Sequence, residues 1–226
     1  MKNEIVQELK DPYNIIVTGV GGQGNVMASR VLSQMLSIRG YQITIGETFG
    51  ASQRGGSVMS HIRVSVESSW SPQIPKGQAD IIVALEPVEA IRVLAAYGNP
   101  AVTVLSNTRP IHPVGVIAGD LNYPDLGEVK KSLAELAGQV HFIDATDEAV
   151  KLGNPILSNI VMVGAVSGLG ILPVGIEEFK TALSNLIPKK HLEVNVRAFE
   201  IGMGKVSPYS LTNHGSGHHG SGPTAA

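Results

Sequence analysis

Cysteine is absent from the 226-residue chain. This absence excludes disulfide bonds, a thiolate nucleophile and zinc held by cysteine. It also excludes an iron–sulfur cluster ligated by cysteines of this chain. If the protein takes part in electron transfer, we expect the metal centres to lie in another polypeptide.

An excess of positive charge is also missing, because the formal net charge at pH 7 is −2. Proteins that bind nucleic acid or an anionic membrane surface usually carry a basic excess. The longest apolar stretch, residues 156–174, is too polar and too rich in glycine to predict a membrane span. Because the N-terminal residues also lack a signal-like apolar segment, we expect a cytoplasmic protein with neither nucleic acid nor membrane as a partner.

Strand and helix patterns alternate along most of the chain. With 43% hydrophobic and 16% charged residues, it has enough apolar area for a folded core. Short apolar runs predict strands, and stretches with apolar residues at helical spacing follow most of them. We therefore predict a three-layer, Rossmann-like α/β fold with a mostly parallel sheet. The runs predicted as strands are 14–18, 42–46, 57–66, 81–85, 101–105 and 140–143.

Three local patterns refine this prediction. The first fifty residues form one β–α–β unit with a right-handed crossover. Polar and apolar residues alternate over 57–66, which favours a half-buried strand. Residues 159–169 are apolar on nearly all faces and predict a buried helix. We assign residues 1–206 to one domain and residues 207–226, dominated by glycine, serine and histidine, to a flexible tail.

A glycine motif occupies residues 19–24, which read GVGGQG. Gly19, Gly21 and Gly24 match the G-x-G-x-x-G pattern between a predicted strand and a predicted helix. Amides at such a helix N-terminus can hold a phosphate. Glu47, 47 − 24 = 23 residues further on, corresponds to the acid that binds ribose in nicotinamide enzymes. Two interpretations stay open here: a nucleotide site, or glycines needed only for a tight turn and close packing.

Three polar residues stand at or just after predicted strand ends. They are Glu86, Asn107 and Arg109. In open α/β sheets the carboxyl ends of the strands line the ligand crevice, which makes each a candidate binding residue. Each is equally an ordinary loop or capping residue. No group of residues suited to hydride transfer is evident elsewhere in the chain.

Several longer segments resemble one family in order along residues 14–202. They are GVGGQGNVMASRVL, GETFGASQRGGSVMSHIR, LEPVEAIR, SNTRPIHPVGV, GNPILSNIVMVGAV and EVNVRAFEIG. Together they resemble the small, gamma-type subunit of 2-oxoacid:ferredoxin oxidoreductases. The combination of EPVEAIR, N-T-R-P-I-x-P and EVNVRAFEIG is similar to the small subunit of the indolepyruvate-type enzymes in particular.

The resemblance implies a division of labour between two chains. The large subunit would carry thiamine diphosphate, Mg²⁺ and [4Fe–4S] clusters, and would decarboxylate an aryl 2-oxoacid such as indolepyruvate. Electrons would pass to ferredoxin and the acyl group to coenzyme A. The small subunit would bind no redox cofactor alone and would have no autonomous catalytic residue. Two alternatives remain: a free-standing NAD(P)-binding dehydrogenase and a non-catalytic binding or scaffold module.

The resemblance also implies roles for particular residues. A loop at the subunit interface would reach the thiamine or coenzyme A region through Glu47, Ser52, Gln53, Arg54 and Gly55. An arginine suits carboxylates and phosphates, although Arg54 could instead form a structural pair with Glu47. Candidates for binding coenzyme A or phosphate are Gly19, Gly21, Gly22, Gln23, Gly24, Glu86, Asn107 and Arg109.

Overall fold

A computed structural model describes residues 9–50 and 56–206 of the chain. Over these residues the backbone forms a single six-stranded sheet. Its strands are β1 Tyr13–Val20, β2 Gln42–Phe49, β3 Ser57–Ser65, β4 Ile81–Ala84, β5 Thr103–Asn107 and β6 Gln139–Ile143. Their order across the sheet is β2-β3-β1-β4-β5-β6.

Helices cover both faces of this sheet. They are α1 Asn25–Ile38, α2 Pro87–Tyr97, α3 Val114–Ile117, α4 Leu126–Leu136, α5 Ala145–Lys151, α6 Ser158–Gly168, α7 Ile176–Ser184 and α8 Leu192–Lys205. Buried side chains of α2 and α4 pack on one face, around Ile16 and Ile82. Buried side chains of α1, α5, α6, α7 and α8 pack on the other face, around Ile15 and Val17. The predicted three-layer α/β architecture is therefore confirmed.

The strand directions confirm a mostly parallel sheet and correct one detail. Strands β1, β4, β5 and β6 are parallel to one another. Strand β3 runs antiparallel to both β1 and β2. The first fifty residues do form a β–α–β unit, but its two strands are not adjacent. The chain returns from β2 through a hairpin, and β3 fills the gap between them.

The prediction that residues 57–66 form a half-buried strand is wrong. Strand β3 is buried at seven of its nine positions. Its polar face is covered because the segment after the strand folds back over it. The guanidinium of Arg63 donates to Asn14 Oδ1 and to the carbonyl of Ser71, both at 3.1 Å, and lies 5.0 Å from the ring of Trp70. The alternating pattern therefore predicted a solvent-exposed face, but tertiary contacts cover that face in the folded protein.

Helix α6 is the most buried helix and confirms the prediction for residues 159–169. Every residue from Ser158 to Ser167 is buried. Helix α8 crosses it at very short range. A Cβ added to Gly202 would lie 1.9 Å from the carbonyl oxygen of Val161, and one added to Gly164 would lie 2.1 Å from that of Phe199. Only glycine permits this approach, which brings the two helix backbones into contact.

Candidate functional site

The predicted site residues gather at one edge of the sheet. Strands β1, β4 and β5 are parallel, so their carboxyl ends lie side by side. The β2–β3 hairpin also turns at this edge, because β3 runs in the opposite direction. The structure thus brings residues 19–24, Glu86 and Asn107 together beside Gly50 and Gly56. In open α/β folds this edge is where ligands bind.

The turn that follows β1 is shaped by glycine. Gly24 precedes α1 with a φ of 81°, a left-handed conformation that other residues adopt only with strain, and no side chain caps this helix end. The amide of Gly21 donates to the carbonyl of Gly56 at 2.8 Å, which joins the turn to the base of the hairpin. The turn and the hairpin therefore form two sides of one depression.

That depression, called here the glycine cleft, has a volume of about 450 Å³. Apolar side chains supply most of its lining, and the N-terminus of α1 lies at its floor. This N-terminus carries partial positive charge and suits an anionic group such as a phosphate. The cleft is lined by Gly21, Gly22, Gly24, Asn25, Val26, Phe49, Gly50, Gly56, Ser57, Val58 and Ile156.

Asn25 places a polar group in the lining of the glycine cleft. Its Nδ2 donates to the carbonyl of Val20 at 2.9 Å. Its Oδ1 is buried and has no hydrogen-bond partner among the described residues. A Cβ added to Gly19 would lie 2.5 Å from this oxygen, so Gly19 is needed to make room for it. The sequence analysis missed Asn25, although an asparagine that opens a helix directly after a glycine turn is a readable signal.

Gln23 and Asn107 both face the protein interior. Gln23 is 8% exposed, accepts from the amide of Val20 at 2.8 Å and donates to the carbonyl of Leu85 at 2.7 Å. Asn107 donates to the same carbonyl at 3.1 Å and exchanges two hydrogen bonds with Thr146. The carbonyl of Leu85 thus ties the ends of β1, β4 and β5 together. Both side chains maintain the shape of the edge.

Glu86 is a buried carboxylate, only 2% exposed. Its Oε2 accepts from the amide of Glu89 at 2.9 Å and so caps α2. Its Oε1 accepts from the amide of Ile111 at 3.4 Å and from the hydroxyl of Tyr123. Burial, followed by this bond to Glu86, raises the pKa of Tyr123. The position of Glu86 at a strand end was predicted from sequence, but its partners Glu89 and Tyr123 were not.

Arg109 lies on the surface. Its guanidinium pairs with Asp147 at 3.0 Å, and both side chains are more than half exposed, at 59% and 55%. The neighbouring hydroxyl of Thr108 donates to Asp144 at 2.7 Å. An exposed pair of this kind contributes about 0–1 kcal/mol to stability. In this arrangement Arg109 links the segment after β5 to helix α5.

Glu47 is exposed on edge strand β2, opposite Ser60 of β3. In a dinucleotide-binding fold the ribose-binding acid follows the strand adjacent to β1. Here β3 occupies that place, so β2 lies two strand spacings, about 10 Å, from β1. This arrangement weakens the nicotinamide interpretation. Ser52, Gln53, Arg54 and Gly55 lie outside the described residues, so their roles, including the alternative Arg54–Glu47 pair, stay predictions.

Two further findings concern the described residues as a whole. Over 9–50 and 56–206, histidine, aspartate and glutamate nowhere form a group of three that could hold a metal ion. Within the same ranges, none of the helices has the length and apolar character needed to cross a membrane.

Comparison with known proteins gives a consistent result. A family model for pyruvate ferredoxin/flavodoxin oxidoreductase matches residues 14–205. The indolepyruvate oxidoreductase subunit IorB of Thermococcus kodakarensis is 40% identical over 192 residues, which cover 84% of this chain and 94% of the relative.

Solved structures extend the comparison to the fold. The gamma subunit of a keto/oxoacid ferredoxin oxidoreductase from Geobacter sulfurreducens aligns with a TM-score of 0.61 at 23% identity, covering 86% of this chain and 98% of that one. A 2-oxoglutarate:ferredoxin oxidoreductase from Magnetococcus marinus, solved with 2-oxoglutarate, coenzyme A and succinyl-CoA bound, aligns with a TM-score of 0.68 at 20% identity. That alignment covers 91% of this chain and 32% of the other. At these identities the likeness concerns the fold alone.

Proposed function

Since the chain belongs to the pyruvate ferredoxin/flavodoxin oxidoreductase family, we propose that it is the small subunit of an aryl 2-oxoacid:ferredoxin oxidoreductase, with indolepyruvate as the first substrate to test. The observation that carries this proposal is the 40% identity to an indolepyruvate oxidoreductase subunit across 94% of that relative. The complex would convert a 2-oxoacid and coenzyme A to acyl-CoA and CO2, and pass the electrons to ferredoxin.

The chemistry of this reaction divides between two chains. Thiamine diphosphate with Mg²⁺ supplies carbanion stabilisation, and [4Fe–4S] clusters accept the electrons. The small chain has no cysteine for a cluster, and its described residues offer no three-ligand metal group, so these residues do not fit either cofactor. We therefore assign the thiamine diphosphate, Mg²⁺ and clusters to a large catalytic subunit, which would also deliver electrons to ferredoxin. The small chain would contribute a binding wall.

The glycine cleft is our candidate for the phosphate-containing part of coenzyme A. Gly22 and Gly24 allow the backbone to turn there, and the N-terminus of α1 favours an anion. Val26, Phe49 and Ile156 add apolar surface for an uncharged part of the ligand. Gln23, Glu86, Asn107 and Arg109 would act indirectly, because each is engaged in bonds that shape the edge.

The hairpin residues Glu47, Ser52, Gln53, Arg54 and Gly55 would face the large subunit near the reacting groups. In the assembled complex, we expect Arg54→Ala to raise the KM for coenzyme A about tenfold or more, as loss of a charge-assisted bond would. Arg30→Ala, at an exposed position of α1, is the matched control. Wild-type kinetics with intact assembly would remove this role for Arg54.

The decisive experiment is purification of the native protein with its partners. We expect a brown complex with a larger, cysteine-rich chain that reduces a dye in response to indolepyruvate, and more rapidly with coenzyme A. The small chain alone should be colourless and inert. Oxidation of an oxoacid by the isolated chain would contradict the proposal. Tight binding of a nicotinamide dinucleotide would revive the dehydrogenase alternative, and a colourless partner without activity would favour a scaffold.

A further inference from the structure

The first turn of α2 carries two buried or half-buried carboxylates, Glu86 and Glu89, three residues apart. They face different parts of the carboxyl edge. Glu86 contacts the residues 108–125 between β5 and α4, called here the arm, and Glu89 contacts the wall of the glycine cleft. Like charges at this spacing repel, so both carboxylates need donors to stay where they are.

Glu86 contacts the arm at two points beyond Thr108 and Arg109, which bind α5 and the residue before it. The amide of Ile111 and the hydroxyl of Tyr123 lie twelve positions apart in the arm, and both donate to Glu86 Oε1. The ring of Tyr123 also lies 5.1 Å from that of His112. Beyond these contacts the arm presents apolar side chains to solvent, with Ile117 75% and Leu121 62% exposed. One carboxylate oxygen therefore joins two points of the arm that are twelve positions apart.

The cleft wall is held through Glu89. The hydroxyl of Ser57, which lines the glycine cleft, donates to Glu89 Oε2 at 2.7 Å. Arg92, one turn further along α2, donates to the same oxygen. Burial raises the pKa of Glu89, and repulsion from Glu86 adds to this shift. The hydrogen bond from Ser57 and the charge of Arg92 act in the opposite direction but do not cancel it. Its position thus depends on Ser57 and Arg92.

The two carboxylates are linked to each other. Glu86 Oε2 accepts from the backbone amide of Glu89, so a shift of the Glu86 carboxylate moves the turn that carries Glu89. A continuous path of hydrogen bonds runs from Tyr123 through Glu86 and Glu89 to Ser57. We propose that Glu86 and Glu89 are positioning residues that couple the arm to the wall of the glycine cleft. Contact at the arm then alters the shape of the cleft, and occupation of the cleft alters the arm.

Hydrogen exchange of the purified chain tests this coupling without reference to any reaction. Tyr123→Phe removes one hydroxyl and keeps the ring, so the fold should persist. We expect exchange in the arm to rise about tenfold, and exchange at residues 57–59 to rise about threefold although no atom there was changed. Ser57→Ala should produce the reverse pattern. An increase confined to the mutated side, or no increase in either place, would overturn the coupling.

A matched control comes from another first-turn glutamate. Glu177 opens α7 and pairs with Lys180 three residues later, as Glu89 pairs with Arg92, but its side chain is 78% exposed. Glu177→Gln should leave exchange in the arm and at residues 57–59 unchanged, whereas Glu89→Gln should raise both. If Glu177→Gln raised exchange as much as Glu89→Gln does, the increase would reflect a general loss of stability and would contradict the coupling.

A second measurement rests on the proposed function. In the complex with the large subunit, Tyr123→Phe and Glu89→Gln should raise the KM for coenzyme A by similar factors of about three to five, with little change in kcat. Combined, the two changes should have no more effect than either one, because they break the same path. If the wild-type complex does not use coenzyme A, the proposed function fails while the exchange result stands. Independent, multiplying effects on KM would refute the coupling.

Discussion

Two glycine-bearing regions of the described chain differ in the space in front of their glycines. At the crossing of α6 and α8, a Cβ on Gly202 or Gly164 would lie about 2 Å from a backbone carbonyl oxygen of the facing helix. In the turn after β1, a Cβ on Gly22 would meet nothing within 4 Å. The first region has glycine because another backbone occupies the space, whereas Gly22 is glycine because the chain must turn. In the same turn, a Cβ on Gly24 would meet only a side chain, Asn159 Nδ2, at 2.2 Å.

The difference separates a packing role from a binding role. Glycines at the helix crossing lie within the buried core and leave no room for a ligand. Glycines of the turn line a cleft of about 450 Å³ at the edge where open α/β sheets bind ligands. A glycine pattern alone therefore does not identify a ligand site, because the atoms that face the glycine determine whether a ligand has room to bind. The two regions should respond differently to substitution.

The largest expected effect is at the helix crossing. Gly202→Ala forces the backbones of α6 and α8 apart, and we expect a loss of about 3 kcal/mol in the free energy of unfolding. Gly204→Ala is the control, since open space faces it in the same helix, and it should stabilise the helix by about 0.5–1 kcal/mol. Urea denaturation measures both. If the two alanine substitutions changed stability equally, close packing at Gly202 would not explain why glycine is needed at the helix crossing.

A smaller effect is expected where Gln23 ties the turn to β4. Gln23→Ala leaves the amide of Val20 without its side-chain partner and leaves the carbonyl of Leu85 with only the bond from Asn107, and should cost about 2 kcal/mol. The half-exposed Gln34 of α1 provides the control, and Gln34→Ala should change stability by less than about 0.5 kcal/mol. Thermal denaturation would compare them. A neutral Gln23→Ala would mean that the turn holds its shape without this side chain.

Gly22 should affect stability less than it affects binding. Its φ of 97° is strained for alanine, so Gly22→Ala should cost about 1–2 kcal/mol while leaving the fold intact. Asparagine tolerates left-handed backbone better, and Gly22→Asn should cost less. Titration with coenzyme A in the complex would then report on the cleft. If Gly22→Ala costs as much stability as Gly202→Ala does, the two regions do not differ as described.

The smallest expected effect concerns Glu148 of α5, which pairs with Lys205 at the end of α8 and with Lys151 of its own helix. Hydrogen bonds from Lys205 and then Lys151 lower the pKa of Glu148 below its usual 4.5. This stabilisation is present above pH 4.5 and is lost as the pH falls through the lowered folded value. Glu148→Gln should therefore cost about 0.5–1 kcal/mol at pH 7 and nothing in strong acid. A constant difference across the range would exclude the titration of Glu148 as its cause.

Local patterns predicted most of the secondary structure. The buried strands and the buried helix near residues 159–169 were both predicted from apolar spacing. The prediction failed at β3, where alternation suggested a solvent-facing side. His61 and Arg63 on that side are 1% and 7% exposed. Residues 66–80 cover these two side chains. The alternation of polar and apolar residues within β3 carries no information about that contact.

The site was predicted only in outline. The glycine turn, Glu86 and Asn107 were identified because strand ends and glycine spacing are visible in a sequence. Their partners were not, because Tyr123 lies 37 positions from Glu86 and Thr146 lies 39 positions from Asn107. Ser57 likewise lies 32 positions from its partner Glu89. Their proximity follows from strand order, with Ser57 brought close by the antiparallel return of β3.

The sequence by itself determined the chemistry that this chain cannot perform and the family segments that it carries. The absence of cysteine excludes a thiolate cluster whatever the fold, because ligand type depends on composition. Only the tertiary structure decided which polar side chains face a cleft and which face the core. That outcome depends on distances between residues remote in the chain, where burial and hydrogen bonding are decided together.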